Sequence, residues 1–137
     1  MQKTKINLDE SIRRGGEYSH GVSVNMGGAT LVFTSNQIAV DARGEALYEN
    51  DPKEQARYVI EVTDRILNEV GAGLADIVKT IIYITDMSYF PDVSDVWDEY
   101  FKSYEPASSL VEVKSIGHPS CIVGIEVVAV VDKNINA

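Results

Sequence analysis

Apolar positions recur along the chain with two different periods, and the change of period marks its elements. Tyr18 to Met26 and Thr30 to Val40 are β-rich runs separated by Gly27-Gly28, a spacing that predicts a hairpin with a glycine-dependent turn. The polar residues 1 to 17, ending in Arg13-Arg14-Gly15-Gly16, read as a lead-in segment and turn, and Asp41 to Asn50 as a loop. Asp51-Pro52-Lys53-Glu54 then offers a side-chain acceptor at the N-cap, proline at the first helical position and glutamate at N3, which predicts a helix start. Behind it Ala56, Val59, Ile60, Thr63, Ile66, Leu67 and Val70 recur at steps of three and four, forming one stripe to bury. Gly71 is placed to end the helix in a left-handed conformation.

Asp76 to Ile84 is β-branched and apolar at Ile77, Val78, Ile81, Ile82 and Ile84, the pattern of a strand covered on both faces. A second helix is predicted from near Ser88, with Pro91 in its first turn, Phe90, Val93, Trp97, Tyr100, Phe101 and Tyr104 packed on one side, and Pro106 as its stop. Ser108 to Val113 and Ile122 to Val131 read as the last two strands, joined by a loop containing Gly117-His118-Pro119. The order β-β-α-β-α-β-β predicts an α+β fold, a single mixed sheet with both helices on one face. Two helices cover only one face, yet two of the strands are apolar on both. The uncovered face calls for a partner, most simply another copy of the chain.

Composition narrows the function classes. A chain of 137 residues with 45% apolar side chains fits one domain spanning 1–137 with an ordinary core. A formal net charge of -9 repels nucleic acid and anionic membrane surfaces alike. No apolar run approaches the roughly 20 residues of a membrane span, and Met1 to Arg14 lacks the apolar core of a secretory signal, so the expected location is the cytoplasm. Cys121 has no second cysteine to pair with. His20 and His118 form no metal-ligand spacing with it, so no metal is expected.

Glu126 is the most informative residue, because it interrupts a ten-residue strand that is otherwise apolar or glycine. A carboxylate is costly to bury unless it is paired or hydrogen-bonded, and burial raises its pKa toward the range useful for proton transfer. An interface ion pair or a carboxylate held by backbone N–H groups is the structural alternative. Period two puts Glu126 on one face with Gly124 and Val128, and turns Ile125, Val127 and Ala129 toward the helices. On the preceding strand Ser108, Leu110 and Glu112 share one face and Ser109, Val111 and Val113 the other; periodicity does not say which set neighbours Glu126. Tyr18-Ser19-His20 and Ser35-Asn36-Gln37 are polar clusters at strand ends, read either as site or as turn chemistry. Cys121, beside an apolar strand with no adjacent cation, reads as a small buried hydrophobe.

Several segments together resemble the Rid family, the reactive intermediate deaminases also called YjgF-like proteins. They are Gly16-Glu17-Tyr18-Ser19-His20, Thr34-Ser35-Asn36-Gln37-Ile38, Gln55-Ala56-Arg57, Leu74 to Thr80, Pro106 to Val113 and Ile125 to Val130. The resemblance implies a fold similar to trimeric chorismate mutase: a homotrimer with a central barrel, helices outside and a cleft at each subunit boundary. It also implies hydrolysis of imines derived from enamines, releasing ammonia and a keto acid with neither metal nor organic cofactor. By the same resemblance Glu126 activates water, and Tyr18, Ser35, Asn36, Gln37, Ser108 and Leu110 line the cleft.

The family's carboxylate-binding arginine has Ser108 as its counterpart here, Leu110 stands where cysteine is frequent, and Asn36 where glycine is frequent. A neutral donor in place of a guanidinium forgoes about 1.5–3 kcal/mol of charged hydrogen bonding. Arg14 and Lys114 are the candidate substitutes for that charge. The expectation is therefore a metal-free deaminase acting on a C=N or enamine group of a small metabolite. The alternative is a small-ligand-binding or regulatory trimer that kept the cleft and lost the chemistry.

Overall fold

The computed structural model describes residues 1–9 and 16–132. In chain order the elements are β1 (Gln2–Ile6), β2 (Gly21–Asn25), β3 (Thr30–Thr34), α1 (Pro52–Asn68), β4 (Ile77–Ile84), α2 (Phe90–Phe101), β5 (Ala107–Glu112) and β6 (Val123–Val131). The six strands form one mixed sheet in the order β1-β2-β3-β6-β4-β5, antiparallel throughout except for the parallel pair β4–β5. The α+β architecture with two helices is as expected. β1 is an addition: the polar lead-in pairs along all of Gln2–Ile6 with β2. Its Gln-Lys-Thr-Lys pattern carries almost no apolar signal because an edge strand exposes most of its side chains and is protected by its lysines.

Local chemistry accounts for the first helix. The Asp51 carboxylate accepts the backbone N–H of Glu54 at 3.1 Å and Pro52 occupies the first turn. Glu54 does not reach back to complete a capping box; it pairs with Arg57, which also holds Glu99 of α2 at 2.9 Å. The expected stripe is buried from Ala56 to Leu67, with Gln55 and Val62 added to it, and Gly71 takes a φ of 78° just beyond the helix. In α2 the buried residues are Val93, Val96 and Phe101, with Trp97 stacked on Phe101 at 4.0 Å between ring centroids. Phe90 and Tyr104, expected inside, are exposed: Phe90 is the first residue of the helix and Tyr104 follows its end.

α1 packs against β6, β3 and α2, and the core lies between the helices and the sheet. Ile125, Val127, Ala129 and Val131 of β6 and Val32 of β3 face it and are buried. The other sheet face carries Leu31, Phe33, Val128, Val130, Ile81 and Val111, of which Phe33 is 42% exposed, Val111 42% and Val130 36%. Among the described residues this second sheet face is largely apolar and no helix covers it. The run expected as a strand to Val40 stops at Thr34; beyond it Gln37 alone rejoins the sheet, paired with Ile125. This early departure from the sheet builds the site.

Candidate functional site

Glu126 lies on the face away from the helices, as the period of β6 predicts, and pairs directly with Ile81 of β4. The phenol of Tyr83 donates a hydrogen bond to its Oε1. That bond to a carboxylate holds the Tyr83 phenol above its ordinary pKa, since ionising the phenol would destroy it. Ile81 also pairs with Ser109 on its other side, so Ser109 shares the Glu126 face. There Ser109 Oγ accepts from Lys79 Nζ at 2.8 Å. Ser108 points the other way, toward the helix side, where it accepts from Thr80 Oγ1 at 2.8 Å, and Leu110 packs on the core from that same side. β5 is the sheet edge, so neither Ser108 nor Leu110 meets the other candidate residues within one chain.

Three of the candidates do converge. Tyr18, Asn36 and Gln37 line a cavity of about 430 Å³ together with His20, Ile38, Val40, Gly44, Ile116, Gly117 and His118. Its wall comes from the chain that leaves β3 and from the β5–β6 loop. Gln37 N and O bond to Ile125 at 2.8 and 3.2 Å, while its Nε2 donates to Ser35 O at 3.0 Å and Ser35 Oγ at 3.1 Å. Ser35 Oγ in turn donates to His20 O at 3.2 Å, so Ser35 braces the wall without lining it. His20 Nδ1 accepts Leu8 N–H at 2.9 Å, and His118 Nδ1 accepts Ser120 N–H at 3.0 Å. A neutral ring accepting at Nδ1 carries its proton on Nε2.

Gln55 of α1 anchors this wall from beneath. Fully buried, it donates from Nε2 to Ser120 O at 2.9 Å and to Leu47 O at 3.1 Å, and accepts Ile122 N–H at 2.8 Å. Cys121 beside it is buried, its Sγ 3.6 Å from Ala39 O, and burial pushes its thiol pKa up, the behaviour of an inert core residue. Among the described residues no group of three His, Cys, Asp or Glu is arranged to hold a metal. Lys114 is exposed and does not line the cavity, and Arg14 lies outside the described residues.

Asn36 joins the cavity to the Glu126 face. Its carboxamide lies over Gly124, two residues from Glu126 on the same face; a Cβ at position 124 would sit 2.5 Å from Asn36 Oδ1. The sequence reading places Gly124 on the Glu126 face without giving it a role, leaves Ser109 open as a neighbour of Glu126, and does not single out Tyr83 or Lys79. The glycine in an otherwise bulky strand was the available signal for the first, while the other three needed the strand register.

The profile of the family described as endoribonuclease L-PSP matches residues 9–131. A RutC family protein of Pyrococcus abyssi is 34% identical over 116 residues, 85% of this chain and 88% of its own. Among solved structures, the Rid family protein YyfA of Yersinia pestis superposes with a TM-score of 0.82 at 32% identity, covering 95% of this chain and all of that one. Escherichia coli TdcF, solved with bound serine, gives 0.76 at 29% identity over 93% of this chain and 99% of that one.

Proposed function

This chain belongs to the endoribonuclease L-PSP family of Rid/YjgF-like proteins, and from that membership we propose that it hydrolyses a C=N or enamine group of a small metabolite at a cleft between subunits. The observation that carries the reading is the placement of Glu126. It is a half-buried carboxylate on the sheet face away from the helices, bonded by the Tyr83 phenol and two residues along β6 from Gly124, over which the carboxamide of the cavity-lining Asn36 rests. A carboxylate so held accepts a proton from water as the water oxygen bonds to the imine carbon, and returns it to the nitrogen that receives the C=N electron pair; the resulting carbinolamine collapses to a carbonyl, its hydroxyl proton passing to nitrogen as the C–N bond breaks and ammonia leaves.

The positions of the candidate residues support an intersubunit site. Tyr18, Asn36 and Gln37 border one cavity, whereas Ser108 and Leu110 stand on the far edge strand β5, so the two groups can share a cleft only when β5 of another copy approaches. The uncovered apolar face provides the contact surface for a homotrimer. Water, Glu126 and neutral hydrogen-bonding side chains suffice for the step, which needs neither metal nor organic cofactor. The family's name speaks of RNA cleavage, but a net charge of -9 opposes a polyanion, and this reading takes a small molecule as the partner. Cytoplasmic metabolism suits it, and no helix is long and apolar enough to cross a membrane among the described residues.

A second reading is favoured by the serine bound to TdcF and by Ser108 in the arginine's position. In it the cleft binds an amino-acid-sized ligand without turning it over. Ammonia release from freshly generated 2-imino acids and from imines without a carboxylate, compared between wild type, Glu126→Gln and Ser108→Arg, separates the two. Release that Glu126→Gln abolishes supports hydrolysis. No release from any of these substrates by the wild type, with ligand binding retained, establishes the binding reading instead.

A further inference from the structure

Lys79 and Glu126 carry opposite charges on the same face of the sheet without pairing with each other. Glu126 stands opposite Ile81, and Lys79 precedes Ile81 by two residues on β4. The two are therefore diagonal neighbours across the β4–β6 ladder, a separation that a long side chain can span. Each turns to a neutral hydroxyl instead. Lys79 Nζ donates to Ser109 Oγ at 2.8 Å on the β5 side, while Glu126 Oε1 accepts from Tyr83, its diagonal neighbour in the other direction. Among the described residues no carboxylate forms an ion pair with Lys79.

Held apart in this way, both groups keep unused capacity. An ammonium has three N–H donors, of which Ser109 takes one, and a hydroxyl that accepts from Lys79 still has its own hydrogen to donate. Tyr83 engages Oε1 of Glu126, so Oε2 is the oxygen left to face a ligand. An acidic ligand beside Glu126 meets a like charge, and a cation close to both offsets that repulsion. Lys79 supplies one on this face. Ser108 does not, being neutral and bonded to Thr80 on the helix side.

We propose that Lys79, presented by Ser109, is the residue that selects an acidic ligand at this site, its ammonium and the Ser109 hydroxyl holding the carboxylate of a small acid whose reacting carbon lies toward Glu126. This rests on the reading of Glu126 as the base of the ligand site, and it adds the charge of what that site takes. Because Lys79 and Glu126 are neighbouring positions of one ladder, the spacing suits an acid whose carboxylate is bonded directly to the reacting carbon. Anchor and base then come from the same subunit.

The test is calorimetric titration of the whole assembled protein with 2-oxobutanoate and 2-oxobutanamide, which share shape and differ in charge. The wild type is expected to bind the acid at least tenfold more tightly than the amide. Lys79→Met, which keeps the length and removes the charge, abolishes that preference, and Lys79→Arg retains it. Lys79 is partly exposed and outside the core, so both variants should fold, which circular dichroism checks. Lys5→Met, on β1, leaves the preference unchanged. Equal binding of acid and amide by the wild type, binding of neither, or a folded Lys79→Met protein with the preference intact would overturn the proposal. Glu126→Gln keeps the preference. A wild type that shows the preference but releases no ammonia from imines therefore refutes hydrolysis and leaves the Lys79 anchor standing.

Discussion

Tyr83 donates its phenol proton to Glu126 along a diagonal of the β4–β6 ladder: Tyr83 pairs directly with Gly124, and Glu126 with Ile81. The carboxylate that interrupts an apolar strand is thus held by a side chain from its neighbour. The bond raises the Tyr83 pKa above 10, so its contribution to stability is complete below that pH and is lost as pH rises through the raised value. In ¹³C-labelled protein the Tyr83 Cζ resonance should titrate above the model tyrosine, and Glu126→Leu should return it toward 10. An unshifted Tyr83 in the wild type would show that the pair does not form in solution.

Gln55 is buried at the junction of α1, the loop through Tyr48 and the segment from Ser120 to Ile122. Gln55→Leu keeps the volume and orphans a buried backbone N–H and several carbonyls. It should cost about 2–4 kcal/mol of stability by urea unfolding, at the upper end of single hydrogen-bonding substitutions because several partners are lost together. Hydrogen exchange at the Ile122 amide should accelerate more than at Val59 in mid-helix, because the damage begins at the cavity wall. A change under 0.5 kcal/mol would mean that water replaces the side chain there.

How much of this was legible in the sequence follows the range of the interactions. The start of α1 is set within four residues by Asp51, Pro52 and Glu54, and the face of Glu126 within two by strand period, so both were readable. β1 was not, because an edge strand of glutamine, lysine and threonine owes its existence to pairing with β2. The choice between Ser108 and Ser109 as the neighbour of Glu126 depends on the β4–β5 register, where a slip of one residue exchanges the faces. The cavity is less local still. Asn36 and Gly124 are far apart in sequence, and only the return of Gln37 to Ile125 brings them into contact.

That contact makes a double-mutant prediction. Gly124→Ala forces a methyl into the Asn36 carboxamide and should destabilise by about 1–3 kcal/mol, the usual range for overpacking. Asn36→Gly removes the obstruction, so the double variant should regain most of that loss, a coupling of about 1 kcal/mol or more where distant sites would add. Chemical denaturation of the four proteins measures it. Simple additivity would mean that the carboxamide moves aside at no cost and does not fix the cavity floor.

The proposed intersubunit cleft depends on the open sheet face. Leu31 pairs with Val130 and Phe33 with Val128, giving a continuous apolar surface on β3 and β6 opposite the helices. Three copies closing over these faces would bury Val130 from every subunit, and a lysine there would have to be desolvated without a partner, at several kcal/mol per copy. Sedimentation equilibrium should therefore give a trimer of 15.1 kDa chains for the wild type and monomers for Val130→Lys. Met26→Lys, at the exposed β2–β3 turn, should leave the trimer intact. The monomeric variant should keep its far-ultraviolet dichroism, since Val130 is outside the core, but lose ammonia release, because Ser108 and Leu110 of a neighbouring copy no longer border the cavity. Full activity in a monomer would remove the shared cleft from the mechanism, and a monomeric wild type would remove the partner that the apolar face demands.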